Sequence, residues 1–596
     1  MTPTFSILAS LLPYLRRYRR PLLLGLAILV VNVVVFTSIP YILKLAIDAL
    51  STTITPHRLL GFAGLLLLAV LLRGVLQYFQ RLILINVSRK IEYDLRNDIL
   101  ERLEQLSLSF FQRTRTGDIM ARATNDLNAV RNMVGPGLMY SAYALVLFLS
   151  VLAILFRIDA QLTLLVFLPA PFVSLAVQWF GKRIHERFER IQSMFSSLAT
   201  RVEENLAGLR VIRAYAREER EIASFDELNR DYVRRNLRLV LLSGAFDPML
   251  QLLLGLAFVL VLWFGGRAVL AHRISLGSFV AFNAYMMQMS FPMVAMGWVI
   301  NLVQRGSASL ARIQELLDEV PAIADTPDTD PSLTTVVGEI EFRGLSFAYL
   351  PGQPILADIN LRIPAGATVA LVGPTGSGKT TLATLIPRLC EAPPGTVLID
   401  GRPIRDFPLA ALRHHIGLVP QETFLFSDTL QANIAFGRPD AGADAVTEAA
   451  DIAGLSSDVA DFPEGFQTRV GERGLTLSGG QKQRTALARA VLRNPSILIL
   501  DDALASVDTV TEERILQRLL ENRERDRRRP DILQPRRTTL LISHRVSTIR
   551  NADLIVVLDR GQIAEQGTHA ELIGRGGLYA ELYEKQLLEE ELQRVD

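Results

Sequence analysis

A glycine-rich run in the second half of the chain has the residue types and spacing for binding phosphate. It reads Gly373, Pro374, Thr375, Gly376, Ser377, Gly378, Lys379 and Thr380. Such a run lets backbone N–H groups curl around phosphate oxygens, and a helix predicted from Thr380 to Leu389 points its positive dipole end at them. Lys379 is expected to reach the β and γ phosphates, and Thr380 to offer its hydroxyl to Mg²⁺. The run therefore predicts a nucleoside triphosphate site.

Two other segments carry polar groups that suit the same chemistry. The apolar run from Ile497 to Leu500 predicts a strand that ends in Asp501 and Asp502, where Asp501 could hold Mg²⁺. Acidic pairs after apolar strands are common, so this signal alone also fits an ordinary strand end. A second anion-binding site is predicted where a helical pattern follows Ser478, Gly479, Gly480 and Gln481. A loop with a helix N-cap would explain any one of these four residues but explains the set poorly.

The elements that must position these groups differ between the two halves of the chain. The second half alternates short apolar runs with glycine, proline and charge, as α/β domains do. The first half contains apolar runs near the length of about 20 residues that a spanning helix needs. Six spans are predicted, at residues 21–43, 59–84, 139–156, 162–180, 239–264 and 276–303. The predicted domains are a membrane domain at 1–312, a linker at 313–337, an α/β domain at 338–583 and a helical tail at 584–596.

Arginine-rich stretches set the expected orientation of the membrane domain. Residues 87–132 and 181–236 separate spans two from three and four from five, and both are rich in arginine. The positive-inside rule places both stretches in the cytoplasm. An even number of spans then returns the second half of the chain to the cytoplasmic side.

Polar and polarizable groups within the predicted spans need a reason, because an unpaired ion in hydrocarbon is costly. Asp247 either faces a water-filled cavity that receives substrate or pairs with an arginine such as Arg238 near the inner interface. In the sixth span, four methionines lie on one helix face, which fits either a promiscuous binding surface or ordinary helix packing. They are Met286, Met289, Met293 and Met296.

The composition of the chain excludes some classes of function and leaves others. The net charge of +2 gives no support to a nucleic-acid partner. A single cysteine, Cys390, excludes an intramolecular disulfide framework. The arginine-rich segment from Arg523 to Arg537 predicts an exposed insertion, with contact to anionic lipid as the alternative.

The order of the glycine-rich run, the Ser478–Gln481 segment, the acidic strand and a later histidine, His544, resembles the ATPase domain of ABC transporters. With six spans ahead of that domain, the whole chain resembles an exporter half-transporter of the multidrug, peptide and lipid A type. The resemblance implies ATP and Mg²⁺ as cofactors, a second half-transporter as partner, and outward movement of an amphipathic drug, peptide or lipid. It also implies a bacterial inner membrane with the ATPase domain in the cytoplasm. Residues 110–126 and 208–221 resemble the coupling regions of that family.

The resemblance assigns roles to three further residues. Tyr349 matches the aromatic residue that stacks on adenine, and Gln421 matches the glutamine that senses the γ-phosphate and joins the Mg²⁺ shell. His544 matches the switch histidine, and residues 470–474 resemble a segment that signals between domains. The resemblance also implies that ATP lies between two chains, with the glycine-rich run of one facing the Ser478–Gln481 segment of the other.

One position departs from the family pattern. Family members usually carry Glu directly after the Mg²⁺ aspartate to polarise the attacking water, and this chain has Asp502 there. Aspartate is one methylene shorter, and displacing a catalytic group by about 1 Å can cost about a hundredfold in rate. The resemblance therefore implies the weakened-site half of a heterodimer, whose partner carries the Glu. A homodimer with Asp502 as the working carboxylate and a regulatory half without useful turnover remain as alternatives.

Overall fold

The computed structural model describes residues 9–51, 55–168, 170–350, 352–527, 537–543 and 545–595. His544 and residues 528–536, which form most of the predicted insertion, lie outside the described residues. The side chains of Asp247, Met293 and Met296 also lie outside them, so the hypotheses on these groups stay predictions. The chain divides into a helical unit, Met1–Glu101 with Gly117–Asp318, and a sheet unit, Arg102–Thr116 with Glu319–Asp596.

Long α-helices dominate the chain as far as residue 318. They are α1 (Leu12–Arg17), α2 (Arg19–Leu50), α3 (Pro56–Gln105), α4 (Leu108–Arg113), α5 (Thr116–Ala121), α6 (Leu127–Asn132), α7 (Leu138–Ile158), α8 (Ala160–Phe167), α9 (Ala170–Ala207), α10 (Leu209–Ala214), α11 (Glu218–Leu260), α12 (Gly266–Leu270) and α13 (Leu276–Asp318). Short π-helical turns join α5 to α6, α6 to α7 and α11 to α12. The break between α7 and α8 has a local cause, because the Asp159 carboxylate caps α8 by accepting a hydrogen bond from the Leu162 N–H across 2.9 Å.

Five helical segments within the described residues are long and apolar enough to cross a membrane. They are Arg19–Leu50, Pro56–Gln105, Thr116–Ile158, Glu218–Leu270 and Leu276–Asp318. These segments contain five of the six predicted spans. The remaining predicted span, residues 162–180, includes parts of both α8 and α9. Residue 169, between these two helices, lies outside the described residues. The count of six therefore stays a prediction.

The core of the helical unit is apolar, with polar ties at defined points. Leu147, Val151 and Leu155 of α7 recur every four residues and are fully buried, as one face of a packed helix requires. At the far end of α13, Arg312 donates to both carboxylate oxygens of Asp126, at 2.9 and 2.5 Å, and Ser309 donates to the same group. These charge-assisted bonds fix the end of α13 to the turn between α5 and α6.

Two β-sheets form the centre of the sheet unit. The strands are β1 (Ile340–Phe347), β2 (Leu356–Ile363), β3 (Thr368–Val372), β4 (Val397–Ile399), β5 (Arg402–Pro403), β6 (Ile416–Val419), β7 (Ile497–Asp501), β8 (Thr538–Ile542), β9 (Leu554–Asp559) and β10 (Gln562–Gly567). An antiparallel sheet has the order β2-β1-β4-β5, and a second sheet has the order β10-β9-β3-β8-β7-β6. In the second sheet β9, β3, β8, β7 and β6 are parallel and β10 is antiparallel at the edge. Strands β3 and β7 lie where the sequence predicts strands.

Helices cover these sheets and form a second core beside them. They are α14 (Lys379–Leu385), α15 (Leu409–His414), α16 (Leu430–Ala435), α17 (Ala443–Ile452), α18 (Ser456–Asp461), α19 (Gly479–Leu492), α20 (Thr509–Arg527), α21 (Val546–Ile549), α22 (His569–Arg575) and α23 (Leu578–Val595). Helix α14 is shorter than the predicted helix, which extended to Leu389. Arg523 to Arg527 form the end of α20, and their side chains lie outside the described residues, so the exposure predicted for this segment stays a prediction. Leu487 of α19 and Ile515 of α20 are fully buried in the core beside the sheets.

Candidate nucleotide-binding site

Three neighbouring parallel strands bring the glycine-rich run and Asp501 to one edge of the six-stranded sheet. Ile542, at the end of β8, is paired with Leu371 of β3 on one side and with Asp501 of β7 on the other. The glycine-rich run follows β3, and Asp501 closes β7. Ligands of open α/β sheets bind outside the carboxyl ends of the strands. The segment after β8 therefore begins between the ends of β3 and β7. His544 itself lies outside the described residues.

Tight backbone packing explains why the run after β3 needs glycine. Gly373 has a φ of +145° and Gly378 a φ of +99°, both in the region that favours glycine. A Cβ on Gly373 would lie 2.0 Å from the carbonyl oxygen of Leu558, and a Cβ on Gly378 would lie 2.6 Å from a methyl of Leu356. Any other residue would therefore push the run away from the strands that support it.

Lys379 opens α14 and turns its ammonium group back into the run. Its Nζ donates to the carbonyl oxygens of Gly373 and Pro374, each at 2.8 Å, and the Ser377 hydroxyl lies at 3.4 Å. Burial lowers the pKa of Lys379, while the carboxylates of Asp502 and Asp501 oppose that shift. The hydrogen-bond partners of Lys379 carry no charge. The buried ammonium group at the N-terminus of α14 is therefore suited to an anionic ligand. These residues fit the phosphates of a nucleoside triphosphate.

Thr380 and Asp501 supply the oxygen donors predicted for Mg²⁺. The Thr380 hydroxyl donates to the Asp501 carboxylate across 3.2 Å, and Asp501 is 3 % exposed. A hydroxyl and a carboxylate belong to the hard oxygen ligands that Mg²⁺ prefers, so this pair would hold the ion beside bound phosphates. Gln421, the third predicted Mg²⁺ contact, is exposed and makes no hydrogen bond to this pair within the described residues.

Asp502 adopts a backbone conformation that few residues tolerate. Its φ is +46°, in the left-handed region where aspartate is enriched over most other residues. Its backbone N–H donates to the carbonyl of Ile542 at 2.9 Å, and its own carbonyl accepts from the Gln483 side chain at 3.4 Å. The neighbouring strand β8 and the helix α19 therefore both hold the backbone that carries the Asp502 carboxylate.

Gln483 is a site residue that the sequence analysis missed. Its side-chain oxygen accepts the backbone N–H of Ser506 at 2.8 Å, while its nitrogen donates to Asp502. The residue is 7 % exposed and ties α19 to the loop after β7. In the sequence, only its position two residues beyond Gln481 marked Gln483 as a candidate. Its contact with Asp502 depends on the tertiary structure.

The segment from Ser478 to Gln481 forms the N-terminus of α19. The Ser478 hydroxyl accepts the Gln481 N–H, and the Gln481 side chain accepts the Ser478 N–H at 2.9 Å, which is a capping box. Asp458 anchors this cap by accepting from Gln481 at 3.0 Å and from Arg484 at 2.6 Å. A Cβ on Gly480 would lie 2.9 Å from the carbonyl oxygen of Ser506. The Ser478 and Gly479 surface stays exposed.

Tyr349 follows β1, and its ring is available at the surface. The residue is 47 % exposed, its hydroxyl donates to Thr381 at 3.2 Å, and its ring packs edge-on against Phe347. Thr381 belongs to α14, so Tyr349 lies beside the helix that carries Lys379. The stacking of Tyr349 on adenine stays a prediction.

Arg545 fixes the segment that follows His544. Its guanidinium donates to the carbonyls of Val507 and Ala505 at 2.7 and 3.0 Å, and to the buried Glu512 at 2.5 Å. Glu512 also accepts from Thr548. These contacts tie the segment after β8 to the loop after β7. No sequence pattern marks Arg545 or Glu512, because the two residues are 33 positions apart and meet only in the folded chain.

Comparison with known proteins identifies the family to which this site belongs. A family model described as the ABC transporter transmembrane region matches residues 22–293, and one described as ABC transporter matches residues 356–505. A probable multidrug resistance ABC transporter ATP-binding/permease protein of Bacillus subtilis is 36% identical over 98% of both chains. This chain belongs to the ABC transporter family.

Other relatives agree with this assignment along the whole chain. An ATP-dependent lipid A-core flippase of Syntrophus aciditrophicus is 35% identical over 93% of this chain and 90% of its own length. The solved structure of a bacterial Atm1-family ABC exporter with ATP bound superposes with a TM-score of 0.76 at 28% identity, over 95% of this chain and 98% of that one. The ABC transporter described here therefore joins a helical membrane domain to an ABC ATPase domain in one chain.

Proposed function

We propose that this ABC transporter is one half of an ATP-driven exporter for amphipathic substrates, and that its own ATP site is the slower of two unequal sites. The observation that carries the proposal is the approach of Thr380 to Asp501 beside Lys379, next to an aspartate at position 502. Lys379 would contact the phosphates and Thr380 with Asp501 would hold Mg²⁺. The ion would neutralise the charge on the phosphate oxygens.

The weak site follows from the length of the side chain at position 502. Gln483 and the β8 backbone hold the Asp502 backbone in place, so the loop has little freedom to compensate for a missing methylene. A carboxylate that stops about 1 Å short of the attacking water costs about a hundredfold in rate. ATP bound to this chain would therefore turn over slowly. A partner chain with Glu at the equivalent position would supply the active site.

The exposed N-terminus of α19 is the part of this chain that would face the partner's ATP. Ser478 caps the helix and is exposed, and the capping box with Asp458 holds the backbone N–H groups in a fixed direction. Fixed donors at a helix N-terminus stabilise phosphate charge. Each chain would thus supply half of two sites, and the Ser478–Gln481 half in this chain is intact.

The substrate class and the membrane orientation are further parts of the proposal. Relatives named for multidrug resistance, lipid A-core and fatty acid transport suggest an amphipathic cargo. Helices α8 and α9 would form the fourth of six spans. Residues 87–132 and 181–236 and the ATPase domain would lie in the cytoplasm of a bacterium, with the spans in its inner membrane. The domain bounds 1–312, 313–337, 338–583 and 584–596 stay part of this proposal.

Two alternatives make different predictions in one experiment. A homodimer with a working Asp502 would transport without another chain, and a regulatory half would bind ATP without transport in any combination. Uptake of a fluorescent amphiphile into inverted vesicles separates these, measured with ATP for this chain alone and co-expressed with a Glu-bearing half-transporter. The proposal predicts ATP-dependent uptake only for the pair. Uptake by this chain alone would support the homodimer. No uptake by this chain, either alone or with the partner, would support the regulatory half.

A further inference from the structure

A polar cavity lies within the helical unit, between α2, α3, α7 and α13. Its volume is about 490 Å³, and its lining includes Asn32 and Phe36 near the middle of α2 and Arg73 and Arg81 on α3. Small-molecule sites commonly enclose about 300–1,000 Å³. The cavity is therefore large enough for part of an organic ligand, at a depth where polar side chains are rare.

The charge of this cavity is positive and uncompensated. Arg73 and Arg81 both line it, and the described residues of the lining include no Asp or Glu. Within the described residues, neither arginine forms an ion pair. A cation at membrane depth is costly without a partner, and intramembrane charges commonly mark substrate or ion pathways. An anionic group would neutralise both arginines.

Arg73 is held in place while part of its hydrogen-bonding capacity stays unused. Its guanidinium lies 3.6 Å from the centre of the Phe36 ring, which orients it by a cation–π contact. Its Nε atom is buried and has no hydrogen-bond partner within the described residues. A stacked guanidinium whose Nε is unpaired is suited to a planar or tetrahedral oxyanion.

Two amide side chains in the lining present unpaired acceptors beside the arginines. The Asn32 nitrogen donates to Gln80 at 2.8 Å, and the Gln288 nitrogen donates to the backbone carbonyl of Phe36 at 3.2 Å. The side-chain oxygens of Asn32 and Gln288 are buried without a partner in the part of the chain that the structure describes. Buried polar atoms are nearly always paired, so these oxygens are suited to a hydroxyl or N–H of a ligand.

Aromatic rings complete the wall of the cavity. Phe291 packs against Tyr140 and Tyr143, with ring centres 6.3 and 5.6 Å apart. Together with Leu147 and Met139 these rings give one side of the cavity an apolar surface. A ligand that fills the cavity would therefore combine a charged end with an apolar body.

We infer that this cavity binds the anionic end of an amphipathic substrate, a carboxylate or phosphate monoester, with Arg73 and Arg81 as its charge partners. Asn32 and Gln288 would accept from a hydroxyl or N–H near the charge. The inference rests on the proposed export function and names the substrate class. It predicts that an alkyl anion binds more tightly than a neutral or cationic amphiphile with the same chain.

Direct binding of matched amphiphiles tests the inference without ATP. The full chain, in nanodiscs of phosphatidylcholine, is titrated with radiolabelled dodecyl phosphate, dodecanoate, dodecyl maltoside and dodecyltrimethylammonium. Arg73→Gln is expected to weaken binding of the two anions by about tenfold or more, the loss typical of a charge-assisted hydrogen bond. Binding of the neutral and cationic probes should stay within about twofold. The two anionic probes distinguish a phosphate from a carboxylate site.

Two variants guard against a structural role of Arg73. Arg81 lines the cavity from an exposed position, so Arg81→Gln should lose anion affinity without loss of folding. Arg157→Gln, at the exposed end of α7, is the matched control and should bind as the parent chain does. Equal weakening of all four probes in the Arg81 variant, or unchanged anion affinity in both cavity variants, would overturn the inference. Anion selectivity without ATP-driven transport would instead refute the proposed export function alone.

Discussion

The side-chain oxygen of Gln483 accepts the backbone N–H of Ser506 across 2.8 Å, and its nitrogen reaches the carbonyl of Asp502. One side chain of α19 thus contacts two points of the loop that follows Asp501. The same helix begins at Ser478, whose surface is proposed to face the partner's ATP. Gln483 is therefore positioned to link the two half-sites proposed for this chain.

Replacing Gln483 tests this link. Gln483→Leu removes both hydrogen bonds and so loosens the loop that carries Asp502, and ATPase activity of the assembled pair should fall about tenfold or more. Gln483→Glu keeps the acceptor for the Ser506 N–H, so the ATPase activity of this variant should fall less. Trinitrophenyl-ATP binding to this chain should stay unchanged in both variants. If Gln483→Leu leaves the ATPase rate intact, the link has no functional role.

Lys379 provides the test of phosphate binding at this chain's own site. Lys379→Ala removes the cation from the glycine-rich run, so photolabelling of this subunit by azido-ATP should drop by about tenfold or more. Lys585→Ala is the matched control, since Lys585 is exposed on α23 and distant in sequence from the site. Equal labelling of the Lys379 variant and the control would contradict the assignment.

The length of the carboxylate at position 502 is testable in this chain alone. Asp502→Glu restores the missing methylene, so the purified chain should gain ATPase activity by about tenfold or more. The gain is expected to be smaller than the full hundredfold, because glutamate tolerates the left-handed backbone at this position less well than aspartate. A variant no faster than the parent chain would mean that side-chain length does not limit turnover.

The contact between Asp126 and Arg312 is expected to stabilise the end of α13. Asp126→Asn leaves Arg312 and Ser309 with a neutral partner, which should destabilise the helical unit by about 1–3 kcal/mol. Thermal unfolding of the detergent-solubilised chain, followed by intrinsic fluorescence, should show a lower midpoint. Asp118→Asn, on the exposed side of α5, is the control, and an equal midpoint for the two variants would argue against the contact.

Local patterns predicted much of the ATP site from the sequence. The glycine-rich run, the strands before Gly373 and Asp501, and the helix after Gly480 depend on neighbours within a few residues, so propensity and spacing were sufficient. Gln483, Asp458 and Arg545 act through partners at least 19 residues away in the chain. No local pattern reports such contacts.

The membrane half was predictable in outline but not in its interior. The length of the apolar runs located five spans, because a helix must be long and apolar enough to cross the hydrocarbon core of the bilayer. Arg73 and Arg81 were visible in the sequence only as interruptions of a span. Their shared cavity depends on Phe36 and Gln288, which come from other helices and meet them only in the folded chain.

Comparing two substitutions in the assembled pair tests the account's central claim, the inequality of the two ATP sites, most directly. In the proposed weak site the Asp502 carboxylate contributes little, so Asp502→Asn should lower total ATPase of the pair by less than about twofold. Gly480→Val places a side chain against the Ser506 carbonyl and the partner's ATP, so it should nearly abolish turnover. Steady-state ATPase of purified pairs gives both values. A pair silenced by Asp502→Asn but active with Gly480→Val would contradict the claim and make Asp502 the working carboxylate.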